Sequence, residues 1–158
     1  MLSQKAKYAL RALLLLAEHA DSPQPIAISE IAERERISRK FLETILVELR
    51  DGGLLESQRG RHGGYRLGRP PGEITFAEAI RVIDGPLAPI GCASRTQFRP
   101  CEDCIDVNSC LIRWAMLKAR DAVADALDNC TLADALKQKA APSAGRSQSR
   151  GRGSAKRR

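Results

Sequence analysis

Two short helices and a hairpin, between residues 29 and 69, constrain the fold of this chain more than any other feature. Ser38 is expected to cap the second helix, which runs to about Arg50. Its apolar residues recur at helical spacing, at Phe41, Leu42, Ile45, Leu46 and Leu49. Gly52 and Gly53 then end the helix, because glycine readily adopts the backbone conformation that follows a helical C-terminus. This order of elements predicts a winged helix-turn-helix.

The elements around the second helix follow from similar patterns. Residues 2–19 carry leucine and alanine on one face at helical spacing, which predicts a first helix. Ser29 is expected to cap the short helix that precedes the turn and ends near Arg36. Two strands, at residues 54–58 and 65–68, flank a glycine-rich turn suited to a hairpin. The predicted fold class is therefore mainly α with a small β-hairpin.

Two more helices are predicted after the hairpin. Thr75 and Glu78 form a capping-box signature for a helix through Asp84. One continuous helix is predicted over residues 111–136. Its apolar positions alternate four and three residues apart, at Ile112, Met116, Ala119, Val123, Ala126 and Cys130. This alternation covers under three heptads, so it does not by itself predict a coiled coil. Because Ala119, Ala122 and Ala126 allow another helix to approach closely, a long C-terminal dimerisation helix, with Trp114 near its edge, is favoured over a helix packed on its own domain.

The net charge of +7 is unevenly distributed. Residues 137–158 contain eight Lys or Arg and no acid, whereas the other 136 residues contain 18 basic and 19 acidic side chains. The overall charge is therefore a poor indicator of nucleic-acid binding by the folded part. The Ala, Ser, Gly and Arg composition of residues 137–158 predicts a disordered basic tail.

The chain is expected to have three parts. A winged helix-turn-helix DNA-binding unit covers residues 1–72, and the tail covers residues 137–158. Residues 73–136 are expected to supply a connecting helix, a cysteine loop at residues 92–110, and the dimerisation helix. No stretch approaches the roughly 18 apolar residues that a membrane span needs, and no secretion signal is recognisable. A cytoplasmic protein without a membrane partner is expected.

Double-stranded DNA is the partner that the polar residues of this unit indicate. On the second helix, the face opposite the apolar stripe presents Ser38, Arg39, Lys40, Glu43 and Thr44. Side chains near the start of such a helix reach base edges in the major groove. The hairpin carries Arg59, Arg61, Arg66 and Arg69, with no acid between residues 57 and 72. Each feature alone is equally typical of a solvated surface, and their order and spacing together favour DNA.

Four of the five cysteines lie in the loop, at Cys92, Cys101, Cys104 and Cys110. In a reducing compartment, clustered cysteines bind metal more often than they form disulfides. Their thiolates are soft ligands that suit an iron–sulfur cluster or zinc. A direct thiol redox switch and a loop without a sensing role stay open. The fifth, Cys130, is expected to pack as a small hydrophobic residue on the last helix.

The stretch from Ser38 to Gly85 resembles the IscR/NsrR-type family of bacterial winged-helix regulators. The residues that carry the resemblance are SRKFLE from residue 38, RGRHGGYRL from residue 59 and VIDG from residue 82. The resemblance implies a homodimeric transcription regulator on a pseudo-palindromic operator, with a repressor expected. It also implies wing contacts centred on Arg59 and Arg61, and recognition-helix contacts between Arg39 and Thr44. No catalytic Ser/His/Asp set, phosphate loop or paired carboxylates emerge, so an enzyme is not expected.

In cluster-binding members of this family, three cysteines of the loop hold an iron–sulfur cluster and a non-cysteine group completes the site. Cys92 stands at the first family position, and Cys104 and Cys110 have the last family spacing. Eleven residues separate Cys92 from Cys104, which is more than the family usually has, and Cys101 is extra.

The fourth ligand departs from the family. Arg113 and Lys7 stand where relatives have a ligating histidine or aspartate. An all-cysteine site is therefore favoured, with Glu102, Asp103 or Asp106 as alternatives. The resulting hypothesis is a regulator whose operator affinity an iron–sulfur cluster controls. Zinc, a thiol switch and a cysteine-independent regulator remain as alternatives, and an electron carrier fits less well because it has no use for a basic wing.

Overall fold

A computed structural model describes residues 2–140. The helices and strands within this range are α1 (Gln4–Glu18), α2 (Ile28–Glu35), α3 (Arg39–Asp51), β1 (Leu55–Gln58), β2 (Gly64–Leu67), α4 (Phe76–Asp84), α5 (Leu111–Asp128) and α6 (Leu132–Ala140). Short 3-10 helices lie at Pro71–Glu73 and Gly91–Ala93. The predicted class, mainly α with a small β-hairpin, is confirmed. No helix in the described range has both the length and the apolar character that crossing a membrane requires.

Helix α1 lies at the centre of the fold, and buried alanines and leucines run along it. Ser3 caps the helix, because its hydroxyl oxygen accepts a hydrogen bond from the N–H of Ala6 at 2.9 Å. The carboxylate of Asp84, at the end of α4, accepts from the N–H of Ser3 at 2.9 Å and from its hydroxyl. Asp84 thereby places a negative charge where the N–H groups of α1 favour one.

In the helix-turn-helix, the second helix begins as predicted, whereas the first helix begins earlier than predicted. Ser38 caps α3, with its hydroxyl oxygen 3.4 Å from the N–H of Phe41. The expected cap of α2 by Ser29 is wrong: α2 begins at Ile28, and Ala27 precedes it without a side-chain cap. The reason is that residue 26 is held in a strand-like bridge to β2, so the helix begins as soon as that bridge ends.

The hairpin pairs β1 with β2 in antiparallel register, with Leu55 opposite Leu67. The backbone of Ile26 adds a bridge to Tyr65, through N–H to O distances of 3.0 and 2.9 Å. At Gly64 a Cβ atom would lie 2.3 Å from the carbonyl oxygen of Ile26, so only glycine allows this approach. The hairpin is therefore attached to the connection between α1 and α2.

The prediction of one continuous helix over residues 111–136 is wrong. Helix α5 ends at Asp128, and the chain then forms an isolated bridge between Thr131 and Thr75. The N–H of Leu132 donates to the carbonyl of Ile74 at 3.0 Å. Cys130 consequently lies half-buried in the break between two helices, and not on a helical stripe as expected.

Helix α6 begins with a capping box that sequence reasoning missed. The Thr131 hydroxyl oxygen accepts from the N–H of Asp134 at 3.1 Å, and the Asp134 carboxylate accepts from the N–H of Thr131 at 3.2 Å. Hydrogen bonds from the Thr131 side chain and then from Lys137 lower the pKa of Asp134 to about 2. The predicted disordered tail is wrong for residues 137–140, which belong to α6, and its other residues, 141–158, lie outside the described range.

We expect Thr131→Ala to lower the free energy of unfolding by about 1 kcal/mol, because loss of a cap leaves the first N–H groups of the helix unsatisfied. Urea denaturation followed by circular dichroism measures the change. Thr131→Ser keeps the hydroxyl and serves as the control, with stability close to that of the native chain. If the alanine variant were as stable as the native chain, the capping box would contribute nothing.

One hydrophobic core joins the two predicted folded parts. Leu46 and Leu49 of α3 share the core with Ile74 and with Leu132 of α6, and all four are fully buried. Because these side chains come from both sides of residue 72, a shift in one part is transmitted to the other by packing.

Candidate nucleic-acid interface and cysteine loop

Helix α3 presents its predicted contact residues to solvent. All five are exposed: Ser38, Arg39, Lys40, Glu43 and Thr44. The helical residues among them lie on the solvent side of α3, whereas Leu42 and Ile45 of the same helix are fully buried. Among residues 2–140, no ion pair involves Arg39 or Lys40. Their positive charges are therefore free for an anionic partner.

Two ion pairs that sequence reasoning missed hold α3 and α2 against α1. Lys5 Nζ lies 2.6 Å from Glu48 of α3, and Arg11 Nε lies 2.7 Å from Glu35 at the end of α2. The partly exposed ring of Phe41 also contacts Tyr8 edge-on, with 6.0 Å between ring centroids. These contacts fix the direction in which the start of α3 faces.

The positive charge of the hairpin is concentrated at its tip. Arg66 pairs with Glu56 across the two strands, at 2.7 Å, and Arg69 pairs with Glu78 of α4. Arg59 and Arg61 lie exposed in the turn and take part in no ion pair within the described range. Gly60 between them has φ +111°, a conformation that favours glycine. Of the four hairpin arginines, the structure leaves these two without an acidic partner.

The cysteine loop begins and ends at defined positions. Cys92 is 3% exposed, in the short 3-10 helix at Gly91–Ala93. Cys110 precedes α5, and its Sγ accepts from the N–H of Arg113 at 3.4 Å. Between these ends, Cys104 is half-buried and Cys101 is exposed. The loop folds back on itself because the N–H of residue 99 donates to the carbonyl of residue 91 at 3.2 Å.

The four thiols of the loop influence one another electrostatically. The charge of Cys92 raises the pKa of Cys101 most, followed by loss of hydration and a hydrogen bond with Cys92. Loss of hydration raises the pKa of Cys104 most, followed by the charges of Cys101 and Cys110. Such mutual repulsion disfavours several thiolates at once unless a cation lies between them.

These thiols fit a cluster or zinc by their chemistry, but they do not form a finished site. Within residues 2–140, no three His, Cys, Asp or Glu side chains are grouped closely enough to hold a metal ion as they stand. Cys92 and Cys110 are held by the surrounding structure, whereas Cys101 and Cys104 lie in the stretch between them. Ligation by all four therefore requires this stretch to move.

Arginines of α5 hold the first cysteine in place, a role that sequence reasoning missed. Arg113 Nε donates to the carbonyl oxygen of Cys92 at 2.9 Å, and Arg120 Nη1 donates to that of Ala93 at 2.7 Å. The Arg120 side chain is only 11% exposed. In the sequence, the signal for this role was the seven-residue spacing of Arg113 and Arg120, which places both on one face of a helix. Any shift of Cys92 is thus coupled to α5.

Asp106, an alternative ligand, already has a structural role. Its carboxylate accepts from the N–H groups of Asn108 at 3.0 Å and Ser109 at 3.1 Å. Hydrogen bonds from Ser109 and Asn108 lower the pKa of Asp106. The residue shapes the turn that leads to Cys110, while Glu102 and Asp103 are exposed.

Comparisons with known proteins agree on one family. The family model described as Rrf2, iron-dependent transcriptional regulator, matches residues 2–138. An rrf2-like protein of Rhodobacter capsulatus, named as a proposed HTH-type transcriptional regulator, is 46% identical over 138 residues, which cover 86% of this chain and 92% of the relative.

Two solved structures of regulators have the same fold. The structure of CymR, the global cysteine regulator of B. subtilis, matches with a TM-score of 0.70 and 33% identity, over 87% of this chain and 97% of that one. IscR of T. potens matches with a TM-score of 0.70 and 30% identity, over 92% and 93% of the two chains. These findings confirm the resemblance to IscR-type regulators. The chain therefore belongs to the Rrf2 family of winged-helix, DNA-binding transcription regulators and is not an enzyme.

Proposed function

We propose that this regulator acts in the cytoplasm as a homodimeric repressor on a pseudo-palindromic operator, with an iron–sulfur cluster in the loop controlling its affinity. The observation that carries the proposal is the position of the loop. It joins α4, which packs in the core of the DNA-reading unit, to α5, on which two arginines hold Cys92. A change in the loop therefore reaches both the DNA-reading unit and the helix proposed for dimerisation.

The proposed DNA contacts are Ser38, Arg39, Lys40, Glu43 and Thr44 of α3 with Arg59 and Arg61 of the wing. The start of α3 enters the major groove, where Arg39 and Lys40 donate to guanine or to phosphate and Glu43 accepts from cytosine. The Ser38 hydroxyl oxygen serves as the helix cap, which leaves its proton free to donate. The wing arginines bind phosphate or the minor groove.

The exposed face of α5 supports a homodimer. None of the residues of α5 is buried. Leu111 is 80% exposed, Ile112 69%, Trp114 59% and Val123 45%. Ile112 and Val123 share one face of the helix, exposed apolar surface of this kind marks an interaction site, and a palindromic operator requires a two-fold partner. A second copy of α5 covers this face in the proposed dimer.

Cys92, Cys104 and Cys110 are the proposed ligands, with Cys101 as the fourth. When bound, an iron–sulfur cluster supplies thiolate-ligated iron that is sensitive to oxidation and to iron supply. Cys110 lies at the N-terminus of α5, where the backbone N–H groups favour the negative charge of a ligating thiolate. Drawing Cys101 and Cys104 towards Cys92 would order the middle of the loop and bias the placement of α5. The family description as iron-dependent supports this assignment.

Two other uses of the thiols have support. Cys92 lies near enough for its charge to raise the pKa of Cys101, and this proximity supports a direct thiol switch, in which a two-electron oxidant removes two electrons and two protons from the thiols and the two sulfurs form a disulfide. Cys101 and Cys104 have the spacing of half a zinc site. In both alternatives the loop stays connected to α5 through Arg113 and Arg120. In the first, two sulfurs of the loop form a disulfide, and in the second the loop binds zinc.

Iron, sulfide and zinc contents and the visible absorption of protein purified without air distinguish these uses. Operator affinity, measured by mobility shift before and after chelation of iron, should change by about fivefold to 150-fold, the usual range for a coupling between two sites. We expect Cys104→Ser to lose iron. Cys130→Ser, outside the loop, is the matched control and should retain it. Equal affinity in both states would contradict control by a cluster, and colourless, zinc-loaded protein would contradict the cofactor assignment.

A further inference from the structure

The turn between α2 and α3 has an unusual residue at its critical position. Arg36 has φ 52° and ψ 46°, and within residues 2–140 it is the one non-glycine residue with positive φ. The conformation is required because the N–H of Ile37 donates to the carbonyl of Ala32 at 3.0 Å, which directs Ile37 into the core. Helices that end with this bond normally have glycine at the left-handed position. Backbone preference therefore does not account for an arginine here.

The Arg36 side chain also differs from its neighbours in charge pairing. Arg34 lies 2.7 Å from Glu30, and Glu35 lies 2.7 Å from Arg11. Arg36 is exposed and takes part in no ion pair in the described part of the chain. A residue that breaks a local backbone preference without a compensating contact in the fold marks a place where the side chain serves function.

We propose that Arg36 binds a backbone phosphate of the DNA beside the groove that α3 enters. The inference rests on the proposed mode of DNA binding. In helix-turn-helix proteins the recognition helix enters the major groove while the first helix crosses the backbone, so the turn joining them lies near phosphates. Arg36 precedes Arg39 by three residues, and its planar guanidinium matches a phosphate with two donors. The contact adds affinity at any sequence.

Arg36→Gly separates this role from a structural one, because stability and affinity move in opposite directions. Glycine relieves the left-handed conformation, so the melting temperature rises by about 1–4 °C. Each lost phosphate contact is worth about eightfold in affinity at 0.1 M salt, and a dimer loses two, so affinity falls by about sixtyfold. The slope of log affinity against log salt becomes less steep by about two. A purely structural Arg36 would leave that slope unchanged.

The probe is a fluorescein-labelled duplex of mixed sequence and about 30 base pairs, because phosphate contacts do not depend on sequence. Anisotropy titrations cover roughly 50 to 200 mM salt. Arg36→Asn, also tolerated in the left-handed region, should behave as Arg36→Gly does. Arg36→Lys keeps the charge and should bind within about threefold of the native chain.

Arg34→Gln is the matched control. Arg34 lies two residues before Arg36, and its charge is already paired with Glu30. Its salt slope should equal that of the native chain. Native affinity and slope in Arg36→Gly would overturn the inference while leaving the proposed function intact. Absence of any binding by the native chain at the lowest salt would overturn both.

Discussion

Replacing Arg59 and Arg61 together by alanine is expected to lower DNA affinity by roughly four-thousandfold at 0.1 M salt if all four arginines of a dimer contact phosphates. These are the hairpin arginines that no acid neutralises within the described range. A dimer presents four such charges, and each phosphate contact releases counterions whose entropy favours binding. Because β1 and β2 are joined to the core through Ile26, the change at the tip should leave the fold intact.

Mobility shifts over a range of salt concentrations measure this loss. The matched control is the double variant Glu56→Ala with Arg66→Ala, which removes the paired charges of the same hairpin without changing its net charge. Its affinity should stay within about threefold of the native value. If the control lost as much affinity as the Arg59 and Arg61 variant, hairpin shape rather than charge at the tip would govern binding.

Placing aspartate at both Ile112 and Val123 is expected to convert the regulator into a monomer. The two side chains are 69% and 45% exposed, and they lie on the same face of α5 at positions 11 residues, or about three turns, apart. Four carboxylates would meet in the proposed dimer interface, where charges lose hydration without gaining partners. A monomer engages only one half of a palindrome, so operator affinity should fall by about a hundredfold or more.

Sedimentation velocity gives the oligomeric state, and circular dichroism checks that the variant folds. Leu2→Asp makes the same chemical change at a half-exposed residue outside α5 and should leave the dimer unchanged. A dimeric double variant with native operator affinity would show that the two copies associate through another surface.

The helix-turn-helix and the hairpin were predictable because their signals are local. The apolar stripe of α3, the cap at Ser38 and the turn glycines each act within a few residues, so chain order alone reveals them. The same holds for the capping box at Thr75, whose hydroxyl accepts from the N–H of Glu78 at 3.1 Å. Ser29 failed as a cap because a distant contact, the bridge from Ile26 to β2, decided where α2 begins.

The cysteine loop was predictable in composition but not in arrangement. Sequence spacing identified four thiols, yet it could not show that Cys92 is buried and held while Cys101 is exposed. The groups that hold Cys92 and Ala93 lie 21 and 27 residues further along the chain, on α5. From the sequence, Arg113 could be recognised only as a residue that replaces a ligating histidine of relatives. In the structure, its side chain donates a hydrogen bond to the Cys92 carbonyl and so supports the loop.

By itself, the sequence determined the helix-turn-helix, the hairpin, and the residue types available to DNA and to a soft metal group, since periodicity, caps and turns are encoded over short distances. Only the tertiary structure decided which charges remain free, where α5 ends and what holds Cys92. Arg66 is neutralised across the hairpin, and α5 stops where Thr131 meets Thr75. These outcomes depend on contacts between segments that are far apart in the chain, and such contacts exist only once the core has packed.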